Sequence, residues 1–182
     1  MTHQEYVAEI QLKYVPSSIK YSLHDKISTS LDAFNFVSSV YNQDTLALQE
    51  QFVVVYLNKA NSIIGYYNHS KGGISGTAID VRLIVAVGLK CACSSILISH
   101  NHPSGNLIPS HQDRKQTECI MKALQFFNIV LLDHLIIASS TSNYYSFTDN
   151  GDIWLLKLLV KTTSKANLVR KPYEFWGLLR FN

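Results

Sequence analysis

Two histidines and a carboxylate in one short segment carry the strongest chemical signal of this chain. In SHNHPSGNLIPSHQD, His100 and His102 lie two residues apart, and Asp113 follows eleven residues after the second histidine. Side chains two apart in an extended segment point to the same side, so both imidazoles can reach one ion while Asn101 faces elsewhere. With Asp113 as third ligand, this is the composition of a catalytic zinc site, which leaves one position to water. The segment predicts a metal-dependent hydrolase.

The same residues also fit a purely structural interpretation. Ser110 followed three residues later by Asp113, before an apolar helical run, is the pattern of a capping box. On this interpretation Asp113 only caps a helix, and the histidine pair is a chance match. The two roles are compatible, because a carboxylate has two oxygens and one of them can face an ion.

The spacing of the whole set favours metal binding. His100, His102, Pro103, Ser110 and Asp113 reproduce the pattern HxHPx(6)SxxD. This pattern resembles that of the JAMM (MPN+) metallohydrolases. The sequences HNHPSGN and PSxxD are similar to those of the RadC-like branch of that family. The resemblance extends from about Leu46 to Gly151, and its further matches are EQFVVVYLN at 50–58, GGISGT at 72–77, LLDHLII at 131–137 and YYSFTDNG at 144–151.

The resemblance implies a fold, a cofactor and a mechanism. The fold is an α/β three-layer, cytidine-deaminase-like MPN/JAB domain with a mixed sheet flanked by helices. His100, His102 and Asp113 would bind Zn²⁺, Glu50 would act as general acid/base, and Ser110 would donate a hydrogen bond to the oxyanion. Peptide or isopeptide bonds are the substrates that the family implies. Taken alone, Glu50 also fits a solvated charge before a strand, and Ser110 a helix cap.

Composition restricts the other functional classes. The chain has 182 residues, of which 47% are hydrophobic and 16% charged, and these values are typical of one globular domain. A net charge of +3 is far below the concentrated charge of a dedicated nucleic-acid binder. Two alternatives to the hydrolase stay open: a DNA-repair-associated or nucleic-acid-binding protein, as the RadC name suggests, and a catalytically silent MPN scaffold.

The amino terminus and the cysteines indicate in which cellular compartment the protein is expected. The segment MTHQEYVAEIQLKYV lacks the basic start and apolar run of a signal peptide, and no window approaches the roughly 20 apolar residues of a transmembrane span. We therefore expect a cytoplasmic protein. Cys91, Cys93 and Cys119 are odd in number and predict buried free thiols rather than disulfides. Their spacing does not match the PCxxC zinc pattern of the deaminases.

Periodicity and capping signals predict three segments and the elements within them. We expect an N-terminal lead-in at 1–45, a JAMM/MPN domain at 46–151 and a basic extension at 152–182. The expected strands are 7–14, 52–57, 62–68, 95–99 and 129–138. The expected helices are 30–41, capped by Ser30 or Asp32, then a buried helix from Asp80 to about 93, and a helix from Pro109 and Ser110 to about 128 with an apolar face of Cys119, Ile120, Leu124 and Phe127.

Several polar residues and one loop remain open to more than one interpretation. His24, His69 and His111 are expected to be exposed or in loops, without a role. The glycines at 72, 73 and 76 predict either a tight connection or a close approach to substrate, and Arg82 sits where the family has an arginine after that loop. Asp133 and His134 interrupt an apolar strand, so they either satisfy each other and nearby backbone or support the metal ligands or substrate.

The C-terminal extension carries six basic and two acidic residues, a net charge of +4. It predicts either a helix docked on the domain or a basic amphipathic segment for a partner or membrane surface.

Overall fold

A mixed sheet of five strands forms the centre of the molecule. The computed structural model describes residues 13–19, 26–71, 79–138 and 143–153. The strands are β1 (Gln51–Leu57), β2 (Ile63–Lys71), β3 (Ser95–His102), β4 (Val130–Ala138) and β5 (Tyr144–Ser146). The helices are α1 (Ser30–Val40), α2 (Val81–Lys90) and α3 (His111–Gln125), with a short 3₁₀ turn at Gln43–Thr45.

The strand order is β2-β1-β3-β4-β5, which places β3 in the middle. β3 runs parallel to β4, and the other neighbouring pairs are antiparallel. The parallel pair is joined by α3, as parallel strands need a crossover of this kind. Among the described helices none is long and apolar enough to cross a membrane.

Both faces of the sheet are covered, and β1 shows why. All seven residues of β1 are buried, and its side chains alternate between two apolar clusters. Phe52, Val54 and Tyr56 face the cluster that includes residues of α2 and α3. Val53, Val55 and Leu57 face the cluster of α1. The prediction of a three-layer α/β fold with a mixed sheet between helices is confirmed.

The first helix begins with a cap that the sequence analysis did not name. Thr29 is the N-cap of α1, and its hydroxyl accepts a hydrogen bond from the Asp32 backbone N–H. Asp32 completes a capping box by accepting the Thr29 N–H at 2.9 Å. The prediction that Ser30 or Asp32 is the cap was therefore wrong. The cap lies one residue before Ser30, whose own backbone is already helical.

The second helix is amphipathic, and the prediction of a buried helix was wrong. Asp80 caps α2 as expected, by accepting the Arg82 N–H at 2.9 Å. Ile84, Val85 and Gly88 are its buried residues, whereas Leu83 and Leu89 are 47% and 49% exposed. The segment was expected to be buried because it is largely apolar, but the sheet covers only one side of this helix.

Other boundaries and burials differ from the expectations in detail. α3 ends at Gln125 because Asn128, with a φ of 55°, belongs to the following turn, and Phe127 and Cys119 are exposed. All three cysteines are free; Cys93 is buried and Cys91 is half-buried. β3 continues to His102, three residues further than predicted. The expected strand at 7–14 falls outside the described residues except for Lys13 and Tyr14, which are not in a strand.

Some predictions concern residues that the structure does not describe. These are the glycine loop at 72–78, His24 and the extension from 154 onward. The domain boundaries after 45 and after 151 remain predictions. Helix α1 nevertheless packs on the sheet with Phe36 and Val37, although it lies in the predicted lead-in.

A buried amide holds the segment that enters β1. Asn101 is fully buried, and its side-chain oxygen accepts the Gln51 N–H at 2.7 Å. Its side-chain nitrogen donates to the carbonyls of Leu46, at 2.7 Å, and Gln49, at 3.1 Å. One side chain thereby satisfies three main-chain groups at the start of β1 and in the segment before it. This contact fixes the path of the chain through residue 50.

Replacing this amide tests the assignment. Asn101→Ala leaves three backbone groups without their partner and should lower the free energy of unfolding by about 2 to 3 kcal/mol. Hydrogen exchange should show faster exchange of the Gln51 amide. Asn58→Ala is the matched control, because the side chain of the exposed Asn58 accepts the N–H groups of Ala60 and Ser62, away from Gln51 and the candidate metal centre. Unchanged protection of Gln51 in Asn101→Ala would contradict the assignment.

Candidate metal centre

The three predicted ligands meet at the carboxyl end of β3. His100 and His102 extend from the same face of that strand, and Asp113 lies in the first turn of α3. The Nε2 atoms of the two histidines are 2.9 Å apart. Asp113 Oδ1 is 3.3 Å from His100 Nε2, and Asp113 Oδ2 is 3.6 Å from His102 Nε2. The structure thus brings two imidazoles and one carboxylate together as a group that could hold a metal ion.

The spacing of these atoms fits a tetrahedral ion. Two ligand atoms bound at zinc distances of about 2.0 to 2.1 Å lie about 3.3 Å apart at a tetrahedral angle. The three observed separations of 2.9, 3.3 and 3.6 Å scatter around that value. Three nitrogen and oxygen donors, two of them imidazoles, are also the ligand types of catalytic zinc sites. The residues present therefore fit a three-coordinate protein site for zinc.

A backbone carbonyl fixes the orientation of His102. Its Nδ1 lies 2.5 Å from the carbonyl oxygen of Asn106, in the loop after β3. A carbonyl oxygen can only accept, so Nδ1 carries the proton and Nε2 presents its lone pair toward His100 and Asp113. A metal-binding histidine commonly donates its other ring N–H to such an oxygen.

His100 is held by a second histidine. Its Nδ1 is 2.7 Å from Nε2 of His134 in β4, and His134 Nδ1 is 2.6 Å from the hydroxyl of Thr117 in α3. The Thr117 hydroxyl in turn donates to the carbonyl of Asp113 at 2.6 Å. A buried chain of hydrogen bonds thereby joins two of the three candidate ligands. Burial lowers the pKa of His134 well below its ordinary value, with the neighbouring His100 lowering it further.

Aromatic rings enclose these imidazoles. Phe52 of β1 stacks on His100, with ring centroids 6.4 Å apart. Phe147 stacks on His134 at 4.5 Å, and the guanidinium of Arg114 lies over the Phe147 ring. The imidazoles are therefore held in apolar surroundings on the sheet side.

Asp113 serves both as helix cap and as candidate ligand. Its Oδ2 accepts the Ser110 N–H at 2.7 Å, and the Ser110 hydroxyl accepts the Asp113 N–H at 3.1 Å. Burial raises the pKa of Asp113, but the neighbouring His100, His102 and Ser110 outweigh it and hold the pKa well below the ordinary value. The carboxylate is thus ionised, as a metal ligand must be.

Glu50 lies directly before β1 and is half-buried. The β1–β3 register pairs Phe52 with His100, so two residues further Glu50 comes level with His102. The neighbouring Asp113 carboxylate is the main influence that raises the pKa of His102, and the negative charge of Glu50 adds to it. Glu50 is therefore near the candidate ligands without being one of the three.

Ser110 is exposed at the start of α3 and is its N-cap. The capping bond uses the Ser110 hydroxyl oxygen as an acceptor. Its O–H proton is not consumed by this bond and remains suitable for donation.

Among the described residues, His69 and His111 lie outside the ligand group. His111 is exposed, as expected. His69 was expected in a loop or on the surface, and this was wrong: it lies half-buried in β2, edge-on to Phe52, and accepts the Asp80 N–H at 2.9 Å. Burial lowers its pKa. Arg82 is exposed and forms an ion pair with Asp80.

Asp133 and His134 of β4 have different roles: Asp133 bonds to nearby backbone and Ser146, and His134 supports a candidate ligand. Asp133 accepts from the Ser146 hydroxyl and from the N–H groups of Thr148 and His134, at 2.5, 2.9 and 2.7 Å. Burial raises the pKa of Asp133 to about 7. Asp133 therefore anchors the chain around β5, whereas the His134 ring contacts a candidate ligand.

Sequence reasoning missed Thr117 and the carbonyl of Asn106. Thr117 follows Asp113 by four residues, a spacing that places both on one helix face, so its position could have been noticed. The Asn106 contact arises from the conformation of the loop, where Gly105 has a φ of 78°.

Comparison with known proteins agrees with this architecture. The model of the family described as "RadC-like JAB domain" matches residues 27–152. A UPF0758 protein of Flavobacterium johnsoniae is 40% identical over 126 residues, which are 69% of this chain and 53% of that protein. UPF0758 proteins of Porphyromonas gingivalis and Streptococcus sanguinis are 43% identical over 103 residues and 39% over 105, covering 57% and 58% of this chain and 45% of each relative.

The chain thus spans about half the length of the curated relatives it matches. The family match covers the sheet, α1, α2 and α3, and it includes all three residues of the candidate metal centre. On this evidence the chain belongs to the RadC-like JAB domain family.

Proposed function

We propose that this protein is a zinc-dependent hydrolase that cleaves peptide or isopeptide bonds. The observation that supports this most strongly is the convergence of His100 Nε2, His102 Nε2 and the Asp113 carboxylate at tetrahedral spacing. Family membership supports the same class of chemistry, and the peptide or isopeptide class rests on the resemblance to JAMM metallohydrolases.

In the proposed mechanism, His100, His102 and Asp113 would hold the metal. Bound there, zinc would lower the pKa of a water molecule toward 7 and polarise the carbonyl of the scissile bond. The Glu50 carboxylate accepts the proton of the attacking water and delivers it to the leaving nitrogen. The Ser110 hydroxyl donates a hydrogen bond to the carbonyl oxygen as it becomes negative, and loss of such a donor costs roughly 3 to 4 kcal/mol.

The position of Glu50 suits a proton carrier. Continued two residues beyond the Phe52–His100 pair, the β1–β3 register brings Glu50 level with His102, and Asn101 fixes the chain on both sides of Glu50 through Gln49 and Gln51. A general base must be held within hydrogen-bond reach of the water proton that it accepts. A backbone fixed by hydrogen bonds on both sides of Glu50 helps to hold its carboxylate in such a position.

The metal site is tested without any substrate. The purified protein should take up one zinc ion per chain, and His100→Ala should lose it, because two remaining ligands do not hold zinc firmly. Elemental analysis after dialysis is the measurement. His111→Ala is the matched control, since His111 is exposed two residues before Asp113 and outside the ligand group. Full zinc occupancy in His100→Ala would contradict the ligand assignment.

The role of Glu50 is tested by removing its ability to take a proton. Glu50→Gln is nearly isosteric and should keep zinc and the fold while turnover falls by a factor of about 10² to 10⁴, the usual range for a general base. Turnover is measured on whichever member of a panel of peptide and isopeptide substrates the wild type cleaves.

Glu118→Gln is the control for that experiment, because Glu118 is a carboxylate on α3 that pairs with Lys122 on the surface. It should leave turnover unchanged. Unchanged turnover in Glu50→Gln would assign proton transfer to another group. Loss of zinc in Glu50→Gln would make Glu50 a ligand. Zinc uptake without cleavage of any substrate in the panel would favour a catalytically silent scaffold.

A further inference from the structure

We propose that His134 and Thr117 are positioning residues that hold His100 in the tautomer whose Nε2 can bind a metal. This inference rests on the proposed metal site, in which Nε2 of His100 is the ligand atom. It concerns residues that do not themselves reach the ion and that belong to other elements, β4 and α3.

The direction of the hydrogen-bond chain follows from its end. The chain ends at the Asp113 carbonyl, which can only accept, so the single hydroxyl proton of Thr117 is given to that oxygen. The Thr117 oxygen is then the acceptor for His134, and the proton of His134 sits on Nδ1. Nε2 of His134 therefore has a lone pair and accepts from Nδ1–H of His100. This leaves Nε2 of His100 unprotonated and free to bind a metal.

The reverse direction would prevent binding. If Thr117 donated to His134, the His134 proton would move to Nε2 and point at Nδ1 of His100. A neutral His100 would then carry its own proton on Nε2, between His102 and Asp113. The carbonyl of Asp113 thus selects the binding tautomer through two intervening side chains.

Burial makes this selection effective. His134 is 0% exposed, His100 2% and Thr117 3%, so solvent does not compete for their hydrogen bonds. The stacked Phe147 ring covers one face of His134 and fixes the plane of the imidazole. Neither nitrogen of His134 could be buried without a partner, and both partners lead to candidate ligands.

The chain also ties together the elements that carry the ligands. His100 is on β3, His134 on β4, and Thr117 and Asp113 are one turn apart on α3. His100 and Asp113 lie on different elements. The chain of hydrogen bonds through His134 and Thr117 keeps the distance between these two candidate ligands when no metal is bound.

The test compares two buried threonines. Thr117→Val removes the acceptor for His134 but keeps the shape, and zinc affinity measured by chelator competition should fall by about 10- to 100-fold. Thr148→Val is the matched control: its hydroxyl also donates to a backbone carbonyl at 2.6 Å, that of Leu132, and it contacts none of the candidate ligands among the described contacts. It should lower the melting temperature similarly and leave zinc affinity unchanged.

Two substitutions at His134 separate positioning from packing. His134→Leu fills the space without an acceptor and should weaken zinc binding by the same 10- to 100-fold range. His134→Gln offers an amide oxygen to His100 Nδ1–H and should restore most of the affinity. Wild-type zinc affinity in both Thr117→Val and His134→Leu would overturn the proposal.

A spectroscopic measurement decides the tautomers directly. Nitrogen-15 NMR of the zinc-free protein, at a pH at which both His100 and His102 are neutral, should show the proton of His100 on Nδ1 in the wild type and in Thr148→Val, and on Nε2 in a substantial fraction of Thr117→Val molecules. The same tautomer in all three proteins would overturn the proposal. Because this measurement uses zinc-free protein, it remains informative if the wild type fails to bind zinc or to hydrolyse anything, outcomes that would instead defeat the proposed function.

Discussion

The alternation of side chains along β3 is the constraint on which the rest of the structure depends. His100 and His102 lie on one face of the central strand, and Asn101 between them lies on the other. The first face builds the candidate metal centre, and the second holds the entry to β1 through three main-chain hydrogen bonds. One strand end therefore positions both candidate histidine ligands and Glu50. A shift of one residue in register would exchange the two functions and destroy both.

This arrangement places polar groups where the fold is otherwise apolar. His100, Asp113, Thr117 and His134 are each less than 9% exposed, in a layer whose other members are isoleucines, leucines and aromatic rings. Burying such groups is unfavourable unless each finds a partner. They find partners chiefly in one another and in the cap of α3, so the polar cluster is nearly self-contained.

Much of this could be predicted from the sequence, for local reasons. The two-residue spacing of the histidines implied a shared face, and the Ser110–Asp113 spacing implied a capping box; both are found. The family resemblance supplied the layered fold, which neither spacing implies. The resemblance is also what identifies Glu50, because a glutamate before a buried strand has no distinctive local pattern.

Predictions failed where the outcome depended on what covers a residue. Leu83 is apolar but exposed, because only one side of α2 contacts the sheet, and Phe127 is exposed because α3 ends before it. His69 resembled a loop residue because nothing local showed that β2 extends to Lys71. The contact of His134 with His100 depends on the parallel pairing of β3 and β4, which joins residues 34 positions apart. The missed cap at Thr29 has a different origin. Its capping box with Asp32 is a local pattern that the sequence contains, but the prediction placed the cap at Ser30 or Asp32 instead.

The central claim is that His100, His102 and Asp113 form a zinc site composed of nitrogen and oxygen ligands. X-ray absorption at the zinc edge of the loaded protein tests it most directly. We expect a first shell of nitrogen and oxygen scatterers at about 2.0 to 2.2 Å, with the outer-shell signature of two imidazoles. A sulfur scatterer at about 2.3 Å would place the metal at a cysteine instead, and would contradict the claim.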